Sequence, residues 1–374
     1  MHKILLIFGT RPEAIKLCPV IRGLREHPAG FDVRVCVTAQ HREMLDQVLE
    51  AFQVQPEYDL DLMLPDQTLF QSTSRILAGL EPVLREVQPA MVIVQGDTTT
   101  TLCGALAAFY SNIPVAHVEA GLRTHDMRQP FPEEMNRVLT SRLTALHFAA
   151  TEKAAENLRA EDVPPDSIHV TGNTGIDAVL YVRDGLQQGT LRGGEWTELD
   201  SSKKLIVVTA HRRESFGHGF ERICRALAKL ADRDDVQLVY PVHPNPNVQD
   251  PVHRYLAGHR NVRLMAPLSY VPFVDLMRRA YLLITDSGGI QEEGPSLGKP
   301  ILVLREKTER PEAVTAGTVK LVGTDEDRIV NEAMVLLGNS GAYHEMSRIH
   351  NPYGDGHASA RISALIHSFL TTNS

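Results

Sequence analysis

The stretch Met91-Val92-Ile93-Val94-Gln95-Gly96-Asp97-Thr98-Thr99-Thr100-Thr101, continued through Leu102–Asn112 to Ile113-Pro114-Val115-Ala116-His117-Val118-Glu119, decides the fold. Two short apolar runs without polar alternation flank a segment that opens on threonines and has helical spacing. A strand apolar on both faces is buried on both, as in a parallel sheet covered by helices. The unit recurs in both directions. Further runs stand at 4–8 (ILLIF), 33–38 (VRVCVT), 205–209 (LIVVT), 236–242 (VQLVYPV), 281–285 (YLLIT) and 301–304 (ILVL), most of them separated by helically spaced segments. The pattern runs from residue 3 to about 170 and restarts near Lys204, so the fold class is α/β with two βα halves.

The length of 374 residues fits two domains. Turn residues cluster at Val170–Gly175, the expected hinge, and Gly185–Ser202 reads as a surface connection. Apolar residues at 43% and charged residues at 22% are ordinary globular values, which excludes a mainly disordered or fibrous chain. A net charge of −8 disfavours nucleic acid as a partner. Four widely spaced cysteines without a CxxC fit buried free thiols in a reducing cytoplasm. The N-terminal apolar run is too short for a signal peptide, and Thr98–Val118 is too polar for a membrane span. The expectation is a soluble cytoplasmic enzyme with no membrane contact.

In open parallel sheets, ligands bind at the carboxyl ends of strands. After the first strand, Gly9-Thr10-Arg11-Pro12-Glu13 places Arg11 at a helix N-terminus, a natural anion site or a plain turn. After Gln95, Asp97 either caps the next helix or is a chemical carboxylate. Glu119 ends a buried strand, which is costly unless it is paired or functional. Glu133 and Glu134 open a helix, where carboxylates also simply suit the dipole. In the second half, His211-Arg212-Arg213 follows a strand and could cradle phosphate. Ser287-Gly288-Gly289 opens a helix with free N–H groups for a diphosphate, and a Glu on that helix could accept from ribose hydroxyls. Thr308-Glu309-Arg310-Pro311-Glu312 puts Arg310 at another helix start.

GxGxxG, Walker A and HExxH patterns are absent, and no two histidines stand four apart, so no helical metal site is expected. Cations come mainly with the second half and carboxylates with the first. A cleft between two such domains would hold a nucleoside diphosphate on one wall and acid–base groups on the other, which implies a nucleotide sugar. Donors would stabilise the departing diphosphate and a carboxylate the sugar. Residue types alone leave proton removal from C2 and attack by an acceptor hydroxyl both open.

The chain resembles the bacterial non-hydrolysing UDP-N-acetylglucosamine 2-epimerases. The motifs span almost all of it: FGTRPEAIK (8–16), TAQHREMLDQV (38–48), GDTTTT (96–101), HVEAGLRT (117–124), PEEMNR (132–137), TGNTGIDA (171–178), HRRESFG (211–217), YPVHPNPNV (240–248), ITDSGGIQEE (284–293), GKP (298–300), TERPEAVTAGT (308–318) and NPYGDG (351–356). The resemblance implies two Rossmann-like domains facing a cleft, the glycosyltransferase-B architecture. Residues 1–171 with the C-terminal helix 357–374 would form one domain, and 172–356 the UDP-binding one. It implies reversible conversion of UDP-GlcNAc to UDP-ManNAc through 2-acetamidoglucal, without metal or other cofactor, in a cytoplasmic homodimer serving cell-envelope polysaccharide synthesis. Asp97, Glu119, Glu133 and His211 match catalytic positions. Arg11, Lys16, Ser287, Gly288, Gly289, Glu293 and Arg310 match UDP-sugar contacts. Gln40, His41, Arg212 and His243 match a second, allosteric UDP-GlcNAc site, where Glu43 and Asp66 depart from the Gln and Arg of some relatives. The alternatives are a glycosyltransferase of the same architecture, a hydrolysing relative that releases ManNAc and UDP, and a non-catalytic sensor. Retention of several acid–base candidates speaks against the sensor.

Overall fold

Seven parallel strands form one sheet: β1 (His2–Phe8), β2 (Phe31–Val37), β3 (Tyr58–Asp59), β4 (Met91–Gln95), β5 (Val115–Ala120), β6 (Leu146–Ala149) and β7 (Ile168–Val170), in the order β3-β2-β1-β4-β5-β6-β7. Six more form a second: β8 (Lys204–Thr209), β9 (Val236–Pro241), β10 (Val262–Met265), β11 (Leu282–Thr285), β12 (Ile301–Val303) and β13 (Val319–Leu321), in the order β10-β9-β8-β11-β12-β13. This computed structural model describes residues 1–38, 42–64, 66–348 and 350–372. The chain divides into Met1–Ala178 with Tyr353–Ser374, and Val179–Pro352.

Each apolar run of the sequence is a strand. Ile4 to Phe8 are all 0% exposed, as expected where helices cover both faces of the sheet. In the first unit Leu5, Ile7, Val92 and Val94 pack against Leu80 and Leu84 of the helix Leu69–Val87. In the second, Ile206, Val208, Leu238 and Tyr240 pack against Phe220 and Leu227 of the helix His218–Ala231. Each such side chain contributes about 1.5–3 kcal/mol on burial. All four cysteines are free and buried, and burial pushes the thiols of Cys36, Cys103 and Cys224 up to about 12.

The division between the units falls inside the helix Thr174–Gln188, whose first turn belongs with the first unit. Asp177 on that turn accepts from the amides of Ala358 and Ser359, at 3.2 and 2.8 Å, which start the C-terminal helix Ala358–Thr372. The Gly185–Ser202 connection is anchored rather than loose. Trp196 Nε1 donates to the buried Asp275 at 2.6 Å.

Candidate active site

In both sheets the strand order reverses once, between β1 and β4 and between β8 and β11. Such switch points open a crevice at the carboxyl ends of the strands. The loops after these strands carry Arg11, Asp97, His211 and Ser287, while the neighbouring β5 carries Glu119 and leads to Glu133, and β12 leads to Arg310.

After β1, Thr10 caps the helix Arg11–Arg25 and forms a capping box with Glu13. Glu13 is buried and also accepts from Gly9 N at 3.1 Å and Thr98 Oγ1 at 2.7 Å, so it ties the β1 loop to the β4 loop. Burial raises its pKa against these donors. Arg11 opens the helix as expected, with Nη1 3.8 Å from Met44 Sδ.

After β4, Thr98 rather than Asp97 caps the helix Thr99–Tyr110, accepting from Thr101 N. The capping alternative for Asp97 therefore falls. Its Oδ2 accepts from Arg137 Nε at 2.9 Å and Nη2 at 2.7 Å, and Asn136 Nδ2 holds its carbonyl at 2.8 Å. His117 on β5 is 0% exposed and hydrogen-bonds the Gly96 carbonyl through Nε2 at 2.7 Å. Burial pulls its pKa down to about 3, so the ring is neutral and Nε2–H donates.

Glu119 sits where the β5–β6 register shifts between Val118 and Ala120, with φ at 64°. A non-glycine residue in that left-handed region carries a cost of about 1–3 kcal/mol and persists only where its surroundings hold it. Lys16 Nζ and Gln95 Nε2 both donate to its carboxylate. Two residues on, Gly121 has φ 90°, and a Cβ there would stand 2.2 Å from the Ala154 carbonyl oxygen, so only glycine lets the chain leave β5 this way.

Glu133 and Glu134 open the helix Glu133–Leu143 and diverge. Glu134, 1% exposed, accepts from Arg137 Nη1 at 2.7 Å and from the amides of Thr124 and His125, both at 2.9 Å. Burial would raise its pKa, but these donors outweigh it and hold the carboxyl below its ordinary range. Glu133 Oε2 is buried with no hydrogen-bond partner among the described residues. A carboxylate oxygen kept dry and unpaired is suited to meet a ligand proton.

In the second unit, His211 follows β8 and Asp286 follows the neighbouring β11. The Asp286 carboxylate accepts from the amides of His211 and Arg212 at 2.6 and 2.7 Å. The His211 ring stacks on that of His243, with centroids 5.4 Å apart and planes 13° apart. Thus Arg212 and His243, matched by resemblance to a second ligand site, lie at His211. Gln40 and His41 lie outside the described residues.

Ser287 precedes the helix Gly288–Glu293 and makes no capping bond with its side chain. A Cβ on Gly288 would meet Arg310 Cζ at 2.9 Å, whereas one on Gly289 would find only Ser287 Oγ at 3.9 Å. Glycine at 288 leaves the room in which the Arg310 guanidinium lies against the helix start. Arg310 Nε donates to Glu292 at 2.8 Å, and Glu293 ends the helix. Arg305, 8% exposed, bridges Glu214 and Glu309 at 2.6 Å each and so joins the loop after β8 to the Arg310 segment. That pairing overrides burial and brings the Glu309 carboxyl down to about 2.

Sequence reading did not single out Arg137, His117, Asp286, Glu292 or Arg305. Arg137 had a local signal in its i,i+3 spacing from Glu134, and Asp286 had one as a carboxylate closing a buried strand.

The first unit carries carboxylates braced by cations, and the second carries arginine, histidine and open backbone amides around the buried Asp286. Charged and polar groups gathered at the carboxyl ends of parallel strands in two units mark the protein as an α/β enzyme. The sequence profile described as UDP-N-acetylglucosamine 2-epimerase matches residues 22–367. The chain is 56% identical over 372 residues to UDP-N-acetylglucosamine 2-epimerase of Salmonella typhimurium, covering 98% of this chain and 99% of that one. It is similar to the crystal structure of the Neisseria meningitidis UDP-GlcNAc 2-epimerase bound to UDP-GlcNAc, with TM-score 0.89, 47% identity, and coverage of 98% and 100%. A calicheamicin glycosyltransferase, 14% identical with TM-score 0.61 and coverage of 99% and 98%, shares the fold. The chain belongs to the UDP-N-acetylglucosamine 2-epimerase family. Its reaction is the epimerisation of UDP-N-acetylglucosamine at C2, an isomerisation.

Proposed function

We propose that inversion at C2 proceeds by elimination and re-addition. The bond from C1 to the diphosphate oxygen breaks, and its electron pair leaves on UDP. The C2 proton passes to a carboxylate of the first unit, and the C1=C2 bond of 2-acetamidoglucal forms. Protonation of C2 on the other face and attack of the same UDP oxygen at C1 complete UDP-ManNAc. Asp97, Glu119 and Glu133 are the proton-transfer groups, and Lys16, paired with Glu119, and Arg11 at the helix start after β1 are UDP-sugar contacts. Arg310, Ser287, Gly288, Gly289 and Glu293 hold UDP, and His211 serves the departing diphosphate.

Glu119 carries the reading. A strained backbone, a strand bulge and two side-chain donors are all spent on aiming one carboxylate, and strain of this kind clusters at active sites. Incubation with UDP-GlcNAc in D2O tests the mechanism. The expected product is UDP-ManNAc with deuterium at C2 and no acceptor added. Inversion without exchange at C2 overturns elimination, and free ManNAc as the main product points to hydrolysis instead.

Arg310→Ala is expected to weaken UDP binding by about 1.5–3 kcal/mol, the worth of a charge-assisted contact. Calorimetric titration with UDP reads this, and unchanged affinity removes Arg310 from the diphosphate site.

We further propose a homodimer that works in the cytoplasm and feeds cell-envelope polysaccharide synthesis. The four buried thiols fit a reducing compartment. In the first unit a groove lined by Leu77, Tyr110 and Ile113 together with Glu81, Arg85 and Asn112 offers a mixed apolar and charged surface for a partner copy. Among the described residues, no helix is long and apolar enough to cross a membrane.

A further inference from the structure

Asp286 is 1% exposed and lies at the carboxyl end of β11, beside the end of β8 that carries His211. Its two oxygens have different fates. Oδ2 receives the amides of His211 and Arg212, which sets the plane of the carboxylate. Oδ1 is buried with no hydrogen-bond partner among the described residues, and it stands 3.5 Å from His211 Nδ1. That gap is a few tenths of an ångström beyond a normal N–H···O bond, and a small turn of the imidazole closes it. On the flat side of the ring, His243 stacks at 5.4 Å. His243 Nδ1 accepts from Asn245 N at 3.1 Å, which holds the stacked ring in place. The His211 side chain is 40% exposed. One edge of the imidazole is thus turned to a buried carboxylate oxygen that has no other donor among the described residues.

We propose that Asp286 is a positioning residue for epimerisation: its Oδ1 accepts Nδ1–H of His211, fixes the tautomer, and leaves Nε2 as the atom that meets the substrate. The inference rests on the reading above that His211 serves the departing diphosphate. In that role the carboxylate stabilises the imidazolium as negative charge builds on the leaving group, as in other carboxylate–imidazole pairs. Three groups face His211. Asp286 favours its charged form, while His243 and Arg212 oppose it together with burial, which is the largest influence and leaves the pKa below its ordinary value. Among the described groups that face it, Asp286 is the one that favours the protonated ring.

The test is 15N NMR of the histidine rings in the unliganded protein, with the His211 signal assigned by its loss in His211→Gln. The unmodified protein is expected to show the Nδ1–H tautomer above the His211 pKa. An Nε2–H tautomer overturns the proposal without recourse to any variant at 286. Asp286→Asn keeps an oxygen for the two amides but turns an NH2 group toward Nδ1. Its expected result is an Nε2–H tautomer, a lowered His211 pKa, a corresponding shift of the kcat/KM pH profile, and a loss of about 10²–10⁴-fold in kcat. An unchanged tautomer, or a switched tautomer with unchanged turnover, overturns the role of Asp286. Full turnover in His211→Gln instead overturns the reading of His211 itself, so the two failures are separable.

Discussion

Asp97→Asn is expected to abolish epimerisation while leaving UDP binding intact. A positioned acid or base contributes about 10²–10⁴-fold, so kcat should fall by at least that factor. The substitution is isosteric, and the backbone contacts of Asp97 survive it, since Asn136 Nδ2 bonds its carbonyl rather than its side chain. Arg137 keeps an oxygen acceptor in place of Oδ2. The helix cap is untouched because Thr98 provides it. Asp97 is not among the proposed UDP contacts, so titration with UDP should give an unchanged Kd. Near-normal turnover in this variant would take Asp97 out of the chemistry.

Arg137→Ala is expected to damage both stability and catalysis. One guanidinium, 8% exposed, braces Asp97 through Nε and Nη2 and Glu134 through Nη1. Its removal leaves Glu134, 1% exposed, with a buried charge held by two backbone amides alone. Breaking a buried pair from one side costs about 3–5 kcal/mol. Arg137→Lys keeps the charge but not the fork that serves two carboxylates at once, and should fall between. The pH dependence has a definite sign. The folded pKa of Glu134 is depressed, so its contribution is fully present above the ordinary carboxylate value of 4.5 and is lost as pH falls through the folded pKa. The gap between the original protein and Arg137→Ala should be widest near neutrality and narrow in acid. Denaturant unfolding at pH 7 and in the carboxylate range measures it. A gap independent of pH would mean that the Glu134–Arg137 pair contributes nothing.

Much of the fold was legible because its signals are local. Unbroken apolar runs such as Ile4–Phe8 and Met91–Gln95 mark doubly covered parallel strands, and the turn residues after them mark strand ends. Arg11 and Arg310 were placed at helix starts from sequence alone and stand there. Glu119 was singled out because a carboxylate closing a buried strand needs a partner, and it has two.

What remained open was open for one reason. A local window shows neither which strand ends are neighbours nor where a side chain points once helices pack. Asp97 as helix cap or chemical group was undecidable until Thr98 was seen to cap and Arg137, forty residues away, to hold the carboxylate. Glu133 and Glu134 look alike in sequence, yet adjacent helical positions point about 100° apart, so one reaches Arg137 and the loop amides while the other keeps an oxygen unpaired. Asp286 meets His211 only because β11 lies beside β8. The sequence by itself determined the strands, the helix starts and the kinds of charge at the strand ends. The order of strands in each sheet decided which of those charges meet, because pairing across a parallel sheet joins residues tens of positions apart and depends on packing that no single segment encodes.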